Sequence, residues 1–285
     1  MSQSIASAIT EAAGVLREAG IAESRREAGS LLANVVGQDR TFLITHSDKE
    51  LTAEQLSTFR QQVVRRAAGE PLQYITGIQE FFGLAFEVDP EALIPRPETE
   101  LLVETALELI NGRGAGILIS DVGTGTGCIP ISLLHERLLA RAFAVDLSPA
   151  AIRVAARNAA RHSVSDRISF VVADSLSAFE QQPRFDLIVS NPPYIADRDW
   201  QTLQREVRDY EPRLALTSGN DGLDMIRRLL IETPNVLING GYFLFEIGYD
   251  QAAAVEKMID RRAWKATSIR NDLQGIPRTV VLQRR

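Results

Sequence analysis

The sequence predicts an α/β domain, a mostly parallel sheet covered by helices on both faces, preceded by a small helical bundle. Two observations carry that expectation. From residue 116 onward, short apolar runs alternate with helical stretches, the pattern of strands joined by crossover helices. Ahead of them, residues 1–68 read as helical. At 285 residues the chain is long enough for one large core and one smaller one.

The elements follow in order. Ile5, Ile9, Val15 and Leu16 mark one amphipathic helix, and Ala28, Leu31, Leu32, Val35 and Val36 mark a second. Leu51 to Val64 form another, with Thr52 as its N-cap and Glu54 and Gln55 in the first turn. Gly69-Glu70-Pro71 closes the bundle, so the first domain is expected over 1–70. Residues 71–95, with Phe81-Phe82-Gly83 and Phe86-Glu87-Val88, read as a β-hairpin linker, and the second domain is expected over 96–285. Pro97 opens a helix to about Ile110, which ends at Asn111-Gly112-Arg113-Gly114. Five strands are expected: Ile117 to Val122, Ala142 to Asp146, Ile168 to Asp174, Phe185 to Ser190, and Ile238 to Ile247. Trp264 to Ile269 and Arg278 to Leu282 make a terminal antiparallel hairpin, for seven strands in all.

Candidate functional residues gather at the strand ends. Gly123, Gly125 and Gly127 let the backbone approach a ligand closely, and their loop opens onto a helix N-terminus. The dinucleotide fingerprint wants glycine where Cys128 stands, and no lysine follows in the P-loop pattern, so pyrophosphate binding is disfavoured. A ligand with an amino-acid end and a nucleoside end fits better; the bland alternative is a flexible turn. Asp146 lies 19 residues after Gly127, where a carboxylate accepts hydrogen bonds from ribose hydroxyls in doubly wound sheets. It could instead cap the helix that starts at Pro149, although Ser148 suits that position better. Asp174 suits an adenine amino group, though strand-end acids also serve turns.

Asn191-Pro192-Pro193-Tyr194 follows the fourth strand. Proline holds φ at about −65°, lacks an N–H, and keeps the residue before it extended. The asparagine amide therefore sits on a stiff rim. Its side-chain oxygen and the Pro192 carbonyl form two acceptors for the two hydrogens of an NH₂ group. Such a pair presents a poor, planar nitrogen to an electrophile. Taken alone, the tetrad is equally an Asn-Pro turn closing a buried strand.

The order Asp121-Val122-Gly123-Thr124-Gly125-Thr126-Gly127, Asp146, Asp174 and the tetrad resembles the S-adenosylmethionine-dependent methyltransferases that modify amide or exocyclic amino nitrogens. The tetrad is shared by N6-adenine DNA methyltransferases and glutamine methyltransferases, so the substrate rests on other stretches. Leu93-Ile94-Pro95-Arg96-Pro97-Glu98-Thr99-Glu100 is similar to the segment before the catalytic domain of the release factor glutamine methyltransferases. Leu214-Ala215-Leu216-Thr217-Ser218-Gly219-Asn220-Asp221-Gly222-Leu223-Asp224 resembles a later signature of that family. The resemblance is colinear from about residue 70 to the C-terminus.

That resemblance implies a Rossmann-like class I methyltransferase domain with S-adenosylmethionine as cofactor. It implies methyl transfer to the side-chain N5 of the glutamine in the Gly-Gly-Gln loop of peptide chain release factors, with the helical bundle docking that substrate. Cofactor contacts are implied at Asp121, Gly123, Thr124, Gly125, Thr126, Gly127, Asp146, Asp174, Ser175 and Asn191. Substrate contacts are implied at Asn191, Pro192, Pro193 and Tyr194, with Asn191 and Pro192 as acceptors and Tyr194 as a packing wall. Asn191, Pro192 and Tyr194 thereby carry the catalytic roles, and Arg96, Pro97 and Glu98 help to wall the cofactor pocket. The alternatives are a ribosomal-protein glutamine methyltransferase, whose corresponding segment typically reads Pro-Arg-Ser-Pro, an N6-adenine methyltransferase, and a non-catalytic binding module of the same fold. The chain departs from the family at Ser175, where a large apolar residue often packs on adenine, and at Ser218-Gly219, where a glycine pair is common.

Composition narrows the classes further. Hydrophobic content of 45% and charged content of 24% are ordinary for a globular protein. No run of about 18 apolar residues marks a membrane span, and Met1-Ser2-Gln3-Ser4 lacks the basic and apolar parts of a secretion signal. The single cysteine, Cys128, suits a reducing cytoplasm and small-residue packing. His46, His135 and His162 show no ligand spacing, so no metal site is expected. The net charge is −6, with −5 over residues 1–95. The pairs Arg65-Arg66, Arg227-Arg228 and Arg261-Arg262 are expected on solvated helix surfaces. Nucleic-acid affinity rests on Lys and Arg neutralising phosphates, so no nucleic-acid partner is expected. Glu98 and Glu100, at a helix start, suit its dipole.

Overall fold

A computed structural model of the chain describes residues 3–114 and 116–285; the first two positions of the bundle expected over 1–70 lie outside the described residues. The chain forms two compact units. One runs to Ile78 and includes Gln204–Tyr210; the other comprises Gln79–Leu203 and Glu211–Arg285.

The first unit holds β1 (Gln3–Ser4), α1 (Ile5–Glu18), α2 (Ser24–Val36), α3 (Arg40–Thr45), β2 (Glu50–Leu51), α4 (Ala53–Ala67) and α5 (Leu72–Thr76). Ile5, Ala8, Ala12 and Leu16 recur at helical spacing and bury one face of α1 against Leu31, Leu32, Phe59 and Val63. Val15, expected on that face, is exposed. Small alanines take its place because α1 packs closely on α2 and α4. Thr52 caps α4 as expected, and Gln55 completes a capping box: Gln55 N donates to Thr52 Oγ1 and Thr52 N donates to Gln55 Oε1, both at 3.1 Å. Helix α3, capped by Asp39 accepting from Phe42 N, and the small β1–β2 ladder were not expected from the sequence.

One arginine overturns the solvated-face expectation. Arg66 is 5% exposed, bonded to Glu27 and paired at 2.9 Å with Glu206. Its partners come from α2 and from the distant 204–210 segment, a grouping that helical periodicity does not register.

Residues 71–95 are not a single hairpin linker. Helix α5 comes first, then β3 (Ile78–Phe81) and β4 (Leu84–Glu87). Phe81 and Phe86 are fully buried in the core of the second unit, because a hairpin with large apolar faces is stable only when packed. Glu100 holds its turn, accepting from Phe82 N at 2.8 Å where φ is +52°. Glu100 therefore tethers backbone as well as sitting in a first helical turn.

The second unit continues with a 3-10 turn (Pro97–Thr99), α6 (Glu100–Ile110), β5 (Leu118–Val122), α7 (Cys128–Glu136), β6 (Arg141–Asp146), α8 (Pro149–Arg161), β7 (Ile168–Val172) and β8 (Phe185–Ser190). After α9 (Arg205–Tyr210), which belongs to the first unit, come α10 (Asp224–Val236), β9 (Leu237–Glu246), α11 (Ala252–Met258), β10 (Trp264–Asn271) and β11 (Pro277–Arg284). The seven-stranded sheet has the order β10-β11-β9-β8-β5-β6-β7. Strands β7, β6, β5, β8 and β9 are parallel, and β11 pairs antiparallel with both β9 and β10. This is the expected mostly parallel sheet with a terminal hairpin.

Successive strand residues supply the two faces. Leu187 and Val189 pack with α6, α7 and α8, whereas Ile188 packs with α10 and α11. Strand β5 lies between β6 and β8, so the chain reverses its winding there. Ligands of open α/β sheets bind outside the carboxyl ends of strands at that point.

Candidate active site

The three glycines of the loop after β5 do different work. Gly127 has φ +80°, and a Cβ there would lie 2.9 Å from Ile131 Cδ1 and 3.1 Å from Ala155 Cβ. It seats α7 against α8 and does not line the cavity. Gly125, at φ +54°, has open space where a Cβ would stand and lines a cavity of about 420 Å³. That volume is in the range of small-ligand sites. Gly123 also lines it and approaches the Asn191 carbonyl, 3.9 Å from an ideal Cβ position. The loop and the tetrad therefore meet at the carboxyl ends of the neighbouring strands β5 and β8.

Beneath the loop, Asp121 is fully buried, and no described donor meets hydrogen-bond geometry at either carboxylate oxygen. Burial pushes its carboxyl up to about 7; the nearby Thr124 hydroxyl opposes that rise and the Asp146 charge adds to it. Thr124 and Thr126 are themselves buried, with hydroxyls that lack partners among the described residues. Asp121, Thr124, Thr126 and Gly127 thus build the loop from below, not the cavity surface.

Asp146 ends β6 on the cavity wall. Its Oδ2 accepts from Gly125 N and its Oδ1 from Ser148 N, both at 2.9 Å. Burial raises its pKa, and the backbone donors of Ser148 and Gly125 oppose that. Each carboxylate oxygen has two acceptor sites, so capacity remains for hydroxyl donors. Ser148 is the cap of α8, as the sequence favours.

Asp174 lies on the wall but is paired with Arg228 at 2.6 Å. Arg228, which also bonds Glu232, is a cavity residue and not a purely solvated one. Ser175 has φ +56° and lines the cavity by its backbone bend, while its hydroxyl donates to Glu232 Oε2 at 2.6 Å. The serine hydroxyl donates to α10, so Ser175 stands on the cavity as expected but brings no large apolar side chain to it.

Asn191 and Pro193 line the cavity; Pro192 is buried and off its wall. Tyr194 does not wall it either. Its hydroxyl donates to Glu246 Oε1 at 3.2 Å, inside a buried chain of hydrogen bonds. Thr99 Oγ1 donates to Glu246 Oε2 at 2.6 Å and accepts from Asn191 Nδ2 at 3.0 Å. Glu246 is 1% exposed, and burial raises its pKa; Thr99, Tyr194 and Arg278 oppose the rise, while Glu98 adds to it. Burial likewise raises the Tyr194 phenol, with Glu246 adding to the shift.

Arg96, Pro97 and Glu98 are also off the cavity wall; Glu91, Ala92 and Leu93 stand there instead. Arg96 pairs with Glu211, which also accepts from Ile94 N. This buried acid draws the 93–96 segment toward Pro212 and Leu214, both cavity residues. The 214–224 stretch supports the tetrad mechanically. Ile195 N donates to Leu216 O, Ser218 N to Ile195 O, and Gln251 Nε2 to Tyr194 O. Gly222 is required there, since a Cβ would stand 2.1 Å from the Tyr194 carbonyl.

Glu246, Thr99 and Gln251 escaped sequence reasoning. The available signal was a charged residue closing the apolar run Phe243-Leu244-Phe245.

Comparison with known proteins gives the family. Residues 7–77 match the PrmC N-terminal domain, and residues 97–215 match the methyltransferase small domain. A release factor glutamine methyltransferase of Koribacter versatilis is 44% identical, covering 93% of this chain and 93% of its own length. The chain belongs to the release factor glutamine methyltransferase family. The family member from Geobacter sulfurreducens is 43% identical over 94% of this chain and 92% of its own. The human methyltransferase 10 domain containing protein shares the fold, with a TM-score of 0.52 at 18% identity over 79% of this chain and 96% of that one.

As a member of this family, the chain is a methyltransferase that uses S-adenosylmethionine. Its residues fit that cofactor: Gly123 and Gly125 open the loop backbone to the cavity, and Asp146 on the wall suits a ribose. The buried Asp121 carboxylate beneath the loop has no donor in hydrogen-bond geometry among the described residues and adds negative charge that suits a cationic amino-acid end. Among the described residues, no cluster of three His, Cys, Asp or Glu side chains forms a metal site. No described helix is long and apolar enough to cross a membrane. Cys128 is buried, and its thiol is pushed up to about 12 by burial, with Thr126 opposing, so it is an inert packing residue.

Proposed function

We propose that this methyltransferase modifies the side-chain N5 of the glutamine in the Gly-Gly-Gln loop of peptide chain release factors, in the cytoplasm. One observation carries the reading at the site. The Asn191 amide turns its nitrogen inward to Thr99, so its Oδ1 is the end left to accept from a substrate at the cavity.

A glutamine amide nitrogen is a weak nucleophile, because its lone pair is delocalised into the carbonyl. S-adenosylmethionine, when bound, supplies a methyl group activated by a sulfonium. Asn191 Oδ1, on the cavity wall, accepts one N–H. The second acceptor is the main-chain carbonyl of Pro192, whose ring is buried but which stands between the cavity residues Asn191 and Pro193. The two aim the nitrogen in line with that methyl. Orientation of this kind contributes up to roughly 7–11 kcal/mol. The same two acceptors stabilise positive charge as it grows on nitrogen. The proton leaves to solvent after transfer, since a methylated, protonated amide nitrogen is strongly acidic, and no dedicated base is required. A carboxylate side chain lacks N–H donors, leaves both acceptors unpaired, and is rejected.

The remaining roles follow. Asp146 binds the ribose, and Asp174 with the Ser175 backbone bend bounds the adenine end. Leu147, on the wall beside Asp146, offers the apolar surface that Ser175 lacks. Pro193 holds the rim of the substrate opening, and Tyr194 anchors Glu246. The helical unit docks the protein substrate, and the acidic net charge supports a protein over a nucleic-acid partner.

The test is to incubate the protein with labelled cofactor and a release factor, a ribosomal protein or DNA, then locate the label. It is expected on the Gly-Gly-Gln glutamine; label on DNA or the ribosomal protein alone would overturn the assignment. Asn191→Ala is expected to abolish transfer while cofactor affinity stays within about tenfold, ~1.4 kcal/mol. Unchanged turnover would remove Asn191 from this role.

A further inference from the structure

We propose that Glu246 is a positioning residue which, through Thr99, decides which end of the Asn191 amide faces the substrate, and so sets the preference for glutamine over glutamate. The inference rests on the Asn191 reading above and adds two residues from other parts of the chain.

The hydrogen-bond order forces the orientation. While Glu246 is ionised its carboxylate only accepts, so Thr99 spends its single hydroxyl proton on Glu246 Oε2, at 2.6 Å. The oxygen of Thr99 then has only lone pairs to offer Asn191, 3.0 Å away. The NH₂ end of the amide fits that position; the carbonyl end would set oxygen against oxygen. Tyr194 closes the far side by donating to Glu246 Oε1. One buried charge thus propagates through a hydroxyl to present Asn191 Oδ1 outward. A wrongly turned amide would lose a buried hydrogen bond, a penalty of roughly 10- to 100-fold in population.

The same chain inverts if Glu246 gains a proton. Glu246 then donates to Thr99, Thr99 donates to the Asn191 oxygen, and the amide presents its NH₂ to the substrate. That arrangement fits a carboxylate and repels the NH₂ end of an amide. The charged and titratable groups facing Glu246 are Tyr194, Arg278 and Glu98; Arg278 favours the ionised form and Glu98 opposes it.

The experiment compares Thr99→Val, Thr99→Ser and Glu246→Gln with wild type and with Asn191→Ala. Three quantities are read: kcat on a release factor, cofactor Kd, and inhibition by a release factor carrying glutamate at the loop position. Thr99→Val and Glu246→Gln are each expected to lose roughly 10- to 100-fold in kcat. The double variant should be no worse than the weaker single, because both act along one path. Cofactor Kd should stay within about tenfold, and the glutamate-bearing factor should inhibit the two variants at least about tenfold better than wild type. Thr99→Ser keeps the hydroxyl and should recover most of the activity. The acid side of the wild-type kcat profile should fall as Glu246 takes up a proton, and Glu246→Gln should lack that fall. If Thr99→Val no longer binds cofactor, Thr99→Ser and Glu246→Gln decide the matter. Wild-type kcat and discrimination in Glu246→Gln, with Asn191→Ala inactive, would overturn this role for Glu246 alone. An active Asn191→Ala would overturn it together with the reading it rests on.

Discussion

Replacing Asp121 with asparagine isolates the charge beneath the glycine loop. Asparagine keeps the shape of a protonated aspartic acid and cannot ionise. The Asp121 carboxyl moves from 3.8 to about 7 on folding, mainly through burial. At 1.36 kcal/mol per pKa unit, that amounts to about 4 kcal/mol. The sign follows from proton uptake. Between the two pKa values the native state holds a proton that the unfolded chain has lost, so stability falls as pH rises through that window. Above about 7 the penalty is complete. From pH 5 to pH 8 the wild type should lose about 3 kcal/mol through this one group. The assay is urea unfolding of cofactor-free protein at both pH values. Asp121→Asn should resemble wild type more closely at pH 5 and exceed its stability by up to about 3 kcal/mol more at pH 8. An Asn-minus-Asp difference that is the same at both pH values would refute the assignment of an unpaired, titrating acid.

Two glycines two positions apart should fail differently. Gly127→Ala meets Ile131 and Ala155 at a left-handed φ and should destabilise the fold by about 2–4 kcal/mol. Gly125→Ala meets open space, so its main loss should be in cofactor Kd, with Tm lowered by only a few degrees for about 1 kcal/mol; equal losses of Tm would refute the division of roles. Arg66→Ala strands the half-buried Glu27 and should cost about 3–5 kcal/mol in urea unfolding. A cost below about 1 kcal/mol would mean the pair behaves as an exposed one.

Much of the site was legible because its signals are local. A glycine loop after an apolar run, and Asn-Pro-Pro before an aromatic, constrain φ and ψ wherever they occur, and both stand at the cavity. Arg96, Pro97 and Glu98 looked like wall because they stand in the segment that resembles the lead-in to the catalytic domain, yet Arg96 turns to Glu211, 115 residues away. Tyr194 looked like a wall because aromatics pack, whereas its hydroxyl is claimed by a carboxylate 52 residues on. Ser175 could be flagged as unusual but not explained, since its partner Glu232 lies on α10, 57 residues further along the chain.

The sequence by itself determined the seven strands, the helical start of the chain, the strand-end placement of Gly125, Asp146 and Asn191, and the exclusion of a dinucleotide fingerprint. Each is decided by periodicity or by the backbone limits of glycine and proline, which act over a few residues. The fold alone brings Glu246 to hydrogen-bonding distance of Thr99, 147 residues away, and Thr99 to that of Asn191, 92 residues away. It alone decided that the Asp121 carboxylate is buried where no donor among the described residues meets hydrogen-bond geometry, and that Arg66 is buried. Hydrogen-bond polarity and burial depend on which distant side chains share one dry volume, and neighbours in sequence carry no record of that.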